Sequence, residues 1–334
     1  MQFYAPEYYS QFRCLAAACP DSCCKDWEIQ IDAASARYYQ SLPGSLGQRL
    51  RQHLLPDADG GAVMALESGR CPMWREDGLC AIQAQLGADA LCQTCRNYPR
   101  LTHDYGVFVE RGLELSCPEA ARLILTAPQV PVLAPVFCGS EDVEYDREAM
   151  SVLLSTRANA LRIVGERAHS VQEALALLLL YGCHAQQLLD SGEASDFSPE
   201  ALLPHAKALA GEADVRGFLD FFAGLEILTP QWRSRLEKPC VPAAWSGIHR
   251  NLAGYGIGRY WLQAIADYDL LNRVKLVVIS CILVRLLGGD PIATAQLYAK
   301  EIENDAENLD AILDGADSQP ALSDRQLLSL LLGK

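Results

Sequence analysis

Nine cysteines in the first 117 residues are the chemistry-bearing feature of this 334-residue chain. They fall into four groups: Cys14-x4-Cys19-x3-Cys23-Cys24, Cys71-x8-Cys80, Cys92-x2-Cys95, and Cys117 followed by Pro118. Thiolates bind soft and borderline metals strongly, and a Cys-x2-Cys pair set in a turn lets two of them reach one metal. All nine, Cys14, Cys19, Cys23, Cys24, Cys71, Cys80, Cys92, Cys95 and Cys117, are therefore candidate ligands. A structural zinc or one cubane cluster takes four, so nine allow one site with spare cysteines or two sites of four with one spare. Adjacent side chains such as those of Cys23 and Cys24 tend to diverge, which favours their serving two different sites, or one ligand role and one packing role, over a single mononuclear site. Cys138, Cys183, Cys240 and Cys281 stand alone in the sequence and are expected to pack as small hydrophobes.

Other residues could assist. His53 and His103 could each replace a thiolate. Arg96 and Arg100 flank the Cys-x2-Cys turn and could offset the negative charge that ligation leaves, or form surface ion pairs. Tyr98 and Tyr105 could orient an amine or pack around the site, and Asp26, Glu28 and Asp32 could attract a cation, with Asp32 also suited to capping a helix.

The elements that must position these groups are short in the first 127 residues, where LPGSLG, PDADGG, RCPMW and NYPR punctuate the chain. Helical spacing is visible over 32–39, 47–55, 81–96 and 117–125, and the alternation of 107–115 suggests a hairpin around Arg111-Gly112. A proline-containing connector, 128–146, follows. From 147 to 334 the pattern is repeatedly helical: 147–167, 171–190, 199–210, 213–227, 250–268, 270–287, 291–312 and 323–332. The expected fold is mainly α, a loop-rich cysteine-ligated metal module over 1–127 and an α-helical bundle domain over 147–334. Gly254-Tyr255-Gly256-Ile257-Gly258, the densest glycine run, is weighed as a cofactor loop against a plain loop before a helix at Tyr260.

A net charge of −14 argues against nucleic-acid partners. The apolar stretches 174–180 and 274–287 are too short, or too interrupted by Lys275 and Arg285, to span a bilayer. The opening MQFYAPEYYSQFRC lacks a basic and then apolar leader, so a cytoplasmic location is expected, where disulfides are rare and metal ligation is the usual use of many cysteines.

CLAAACPDSCCKDWEIQID, CPMWREDGLCAIQAQLGADALCQTCRNYPR and LELSCPEAARLIL together resemble the flagellin lysine-N-methylases, among the proteins with a zinc- or iron-chelating domain of the CxxCxxCC type. The resemblance covers about residues 1–125; the first cysteine group departs from the bare motif in its x4 and x3 spacings. It implies a methyltransferase that uses S-adenosylmethionine, depends on a 4Fe-4S cluster, and methylates the ε-amino groups of surface lysines on flagellin. Neither familiar S-adenosylmethionine signature is present: no strand ends in a glycine-rich turn opening a helix, and Cys19-x3-Cys23 is followed by Asp26 where Cys-x3-Cys-x2-Cys needs a third cysteine. The alternative is a non-catalytic protein that chelates zinc or iron as an interaction, storage or redox-sensing module.

Overall fold

The computed structural model describes residues 2–25, 27, 29–133, 144–193 and 197–333. Asp26, Glu28, Cys138 and most of the connector lie outside these residues. The protein is mainly α, with sixteen α-helices among the described residues. It divides into two compact units: one holds 12–101 with 117–120, the other 1–11, 102–116 and 121–334. Residues 1–11, 102–116 and 121–127, grouped by composition with the cysteine-rich half, thus pack with the helical unit.

In the cysteine-rich unit, strands Ile29–Ile31, Leu54–Pro56 and Ala62–Met64 form an antiparallel sheet with Ala62–Met64 in the middle. Helices Ala33–Ser41 and Gly44–His53 bury Tyr39 and Leu50 completely against Ile29, Met64 and Met73. The second helix ends earlier than its spacing suggests because Leu54 and Leu55 join the sheet. The helix expected over 81–96 is three pieces, Ala81–Leu86, a 3-10 turn Ala88–Ala90 and Gln93–Asn97. Gly87 causes the first break by taking φ 88°, open to glycine but costly for other residues.

Asp32 joins these pieces. Its Oδ1 accepts from the Ser35 amide at 3.0 Å, capping Ala33–Ser41, and its Oδ2 accepts from the Gln93 amide at 2.9 Å, fixing the start of Gln93–Asn97. Those bonds, the Gln93 amide first, hold its pKa near 2 rather than 3.8.

In the helical unit, Leu270–Leu287 is buried along nearly all of its length and packs against Val171–Ser191, Gly247–Tyr260 and Ala306–Ser318. The periodicity located most of this unit's helices, including Arg147–Gly165 and Val171–Ser191. It missed Pro230–Glu237, a short helix with only Trp232 and Leu236 buried, opened by Pro230 at its first position. The glycine run is not a loop. It lies inside the helix Gly247–Tyr260, where a Cβ on Gly254 would stand 2.4 Å from Val130 and one on Gly256 2.9 Å from Val277, so these glycines permit close packing. Phe108–Leu113 runs straight through Arg111-Gly112 as one strand, parallel to Gln2–Tyr4. The turn falls instead at Tyr105–Val107, where Gly106 supplies the positive φ of 77° that a tight turn needs.

Arg157, from Arg147–Gly165, meets Glu110 of that strand in a bidentate pair at 2.6 and 2.7 Å with both side chains almost wholly buried. No helix among the described residues is long and apolar enough to cross a membrane.

Removing one member of a buried pair strands the other charge, so Arg157→Met should cost about 3–5 kcal/mol in urea unfolding, with Glu110→Leu in the same chain recovering much of it. Asp32→Ala should cost about 1 kcal/mol at neutral pH through loss of the cap. Because folding lowers the Asp32 pKa, its contribution is present above 3.8 and fades as pH falls towards about 2. Melting curves over that window should converge for the wild type and Asp32→Ala.

Candidate metal centre

The folded chain sorts the nine cysteines into two sets. Cys71 and Cys92 belong to the buried core of the cysteine-rich unit, and Cys24, Cys80 and Cys95 pack against the same core. Local backbone pairing brings them there. An antiparallel bridge between Lys25 and Arg70 sets Cys24 beside Cys71, whose amide donates to the Cys24 carbonyl at 2.8 Å. A second bridge, Trp74 with Cys80, and the Ala81 amide on the Met73 carbonyl at 2.8 Å close the 71–80 loop over that core. Cys92 precedes the helix Gln93–Asn97 and Cys95 lies within it, held by Asp32 and by Thr94 Oγ1, which donates to the Gln30 carbonyl at 2.7 Å.

Electrostatics agrees with this grouping. Cys71 feels Cys24, Cys80 and Cys92; Cys80 feels Cys24 and Cys92; Cys95 feels Cys92, Cys24 and Cys71. Burial pushes the Cys71 thiol up to about 12 and raises Cys80 as well. Cys92 is held low chiefly by its hydrogen bond with Cys95, which is raised by the same bond. A thiol that loses its proton beside one that keeps it is the usual behaviour of a Cys-x2-Cys pair.

The other four, Cys14, Cys19, Cys23 and Cys117, form the outer set. Cys23 feels Cys14 and Cys117, and Cys117 feels Cys19 and Cys14. Cys14 and Cys23 are exposed, Cys19 is half-buried and Cys117 is buried. Cys117 opens the short segment 117–120 that packs with 12–101, while the chain on either side of it belongs to the helical unit. Cys23 and Cys24 do not simply diverge. Their thiols hydrogen-bond to one another, which brings Cys24 down to about 7 and pushes Cys23 up, so the pair links the two sets. Five core thiols and four outer ones match the arithmetic of two sites and one spare.

The donors fit a thiophilic metal in type and number; Cys71 and Cys92 are buried, and Cys24, Cys80 and Cys95 are half-buried. Among the described residues, no three His, Cys, Asp or Glu side chains already stand in metal-holding geometry. The other candidates settle elsewhere. His53 pairs with Glu67 at 3.3 Å, and His103 belongs to the helical unit. Arg96 donates to the carbonyls of Asp89 and Leu91 at 2.7 and 2.8 Å, bracing the turn before Cys92, and Arg100 lies over the Phe12 ring at 5.1 Å. Tyr98 packs on Trp27 with ring centroids 5.7 Å apart, while Tyr105, in the other unit, accepts at its carbonyl from the Tyr145 hydroxyl at 2.6 Å. Cys281 is buried as expected, whereas Cys183 is half-buried and Cys240 is exposed. Tyr39 escaped the sequence reading: its hydroxyl donates to the Ala90 carbonyl at 2.8 Å and it feels Cys92, Cys95 and Cys80. A lone tyrosine on a helix, about fifty positions from its partners, carries no local signal of such a role.

The chain matches no family profile. No solved structure matches it either. It is 33% identical over 135 residues to the Lysine-N-methylase of Salmonella typhimurium, covering 39% of this chain and 34% of that protein, and the Lysine-N-methylase of Salmonella choleraesuis matches to the same extent. The match thus spans about a third of the length of these relatives. Against the Flagellar biosynthetic protein FliU of Salmonella muenchen the identity is 34% over 134 residues, 38% of this chain and 79% of that protein. Because that match covers most of FliU, the chain belongs to the lysine-N-methylase and FliU family.

Proposed function

We propose that the chain is a lysine N-methylase that takes its methyl group from S-adenosylmethionine, acts on surface lysines of flagellin, and holds a 4Fe-4S cluster on four of the five core thiols, Cys24, Cys71, Cys80, Cys92 and Cys95. The observation that carries this reading is the gathering of those five cysteines on one core in a relative of proteins named for lysine N-methylation. Such a cluster supplies thiolate-bound iron whose redox properties follow from its ligands, hydrogen bonds and burial. The chain's own residues hold the ligands in place. Asp32 and Thr94 fix the helix that carries Cys95, Arg96 and Tyr39 brace the carbonyls just before Cys92, and the core around Met73 and Ile29 keeps water from Cys71 and Cys92. Cys14, Cys19, Cys23 and Cys117 supply a second ligand set for a thiophilic metal.

Incubated without oxygen with S-adenosylmethionine and flagellin, the iron-loaded chain should add methyl groups to flagellin lysines, seen as whole-protein mass increments and located by peptide mapping. Unmodified flagellin under these conditions would contradict the reading. For the ligand sets, Cys92→Ser and Cys95→Ser should each lose the core metal, while Cys14→Ser should keep it and lose only the outer one. Full metal content in both Cys92→Ser and Cys95→Ser would overturn the assignment.

A further inference from the structure

The helical unit contains a second concentration of ionisable groups. Along the helix Gly247–Tyr260, Tyr255, Gly258 and Arg259 share one face, being three and four residues apart. Facing them, the helix Pro291–Tyr298 passes into a π-helical turn, Ala299–Glu303. In a π-turn, bonding runs from i to i+5, so residues five apart come onto one side, which an α-helix would not allow. Tyr298 and Glu303 are five apart. Glu303 accepts from the Tyr255 hydroxyl at 2.8 Å and the Tyr260 hydroxyl at 2.9 Å, and Arg259 donates to the Tyr255 oxygen at 3.0 Å. Glu114, after the strand Phe108–Leu113, feels both Arg259 and Glu303, and burial raises its pKa.

Two features of this network are unexplained by packing. Two acidic side chains, Glu114 and Glu303, face one guanidinium, Arg259, and burial raises the Glu114 pKa while Ser116 donates to its carboxyl at 3.4 Å, so the second acid needs either a proton or a further cation. The Tyr298 hydroxyl, on a side chain only 1% exposed, faces Glu303, Tyr255 and Arg259 yet has no hydrogen-bond partner among the described residues. Leaving a buried hydroxyl unpaired is costly, and such groups call for a missing partner. At Gly258, on the same face as Tyr255 and Arg259, a Cβ would meet no atom within 4 Å, so the helix leaves open space there.

We propose that Glu114, Glu303 and the Tyr298 hydroxyl form a binding site for a primary ammonium group on an alkyl chain, in this protein the side chain of a substrate lysine. An ammonium carries one positive charge and three donors. The charge would balance the second acidic side chain, and one of the donors would give the Tyr298 hydroxyl the partner it lacks. The choice of lysine among primary amines rests on the methylase reading; the site itself rests on the orphaned hydroxyl and the second acidic side chain.

The test uses the full chain and Nα-acetyl-lysine N-methylamide as probe, with the norleucine analogue, which lacks the amine, as control, both measured by calorimetry. The lysine probe should bind and the norleucine analogue should not. Tyr298→Phe and Glu114→Gln should each weaken the probe by about tenfold or more, the loss expected for one hydrogen bond to a charged group. Tyr298→Phe removes a hydroxyl with no partner, so its melting temperature should equal or exceed that of the wild type, which separates lost binding from lost folding. Equal binding of both probes, or unchanged lysine-probe affinity in both variants, would overturn the site. Probe binding that depends on Tyr298 and Glu114 in a chain that transfers no methyl group would uphold the site and contradict the methylase reading. Undiminished methyl transfer in both variants would remove the site and leave that reading standing.

Discussion

A small, loop-rich unit with three-residue strands must hold five thiols against one core, and its other features follow from that constraint. The sheet Ile29–Ile31, Ala62–Met64, Leu54–Pro56 is too short to be stable by its own ladder. Its stability comes from the apolar side chains it shares with two helices, and Cys71 and Cys92 are part of that shared surface. Two of the candidate ligand positions are therefore also core positions. A bound metal would hold together segments that otherwise meet through a few backbone bonds, as small metal-bearing units commonly require. Asp32, with one oxygen on each of two helices, is the polar counterpart of this arrangement.

The helical unit is stabilised differently. A long buried helix, Leu270–Leu287, supplies the apolar mass, and two buried cations have charged or carbonyl partners: Arg157 with Glu110, and Lys275 with the Ala316 carbonyl and Asp324. The Tyr298 hydroxyl is one of several buried polar atoms of this unit without a hydrogen-bond partner among the described residues, and it sits where an α-helix gives way to a π-turn, a local geometry frequent at functional sites.

Much of this was legible in the residues. Long 3.6-residue periodicity located most of the helical unit, and Asp32 could be read as a cap because Asp before a helix has a direct electrostatic use. The Cys-x2-Cys pair was visible for the same local reason. How the cysteines divide was not, because it depends on the bridge between Lys25 and Arg70 and on Cys117 packing with a segment distant from it in sequence. The π-turn was equally hidden: 291–312 reads as one helix by periodicity, and nothing in AKEIE marks a change of winding. The hairpin at Arg111-Gly112 failed because alternation alone does not locate a turn, whereas the positive φ of Gly106 does.

The most direct test of a thiolate-held cluster is metal and acid-labile sulfide analysis of protein purified without oxygen, with its visible spectrum. Iron with matching sulfide and broad thiolate-to-iron absorption is the predicted result. Zinc without sulfide would contradict the cluster and identify the cysteine core as a structural chelate.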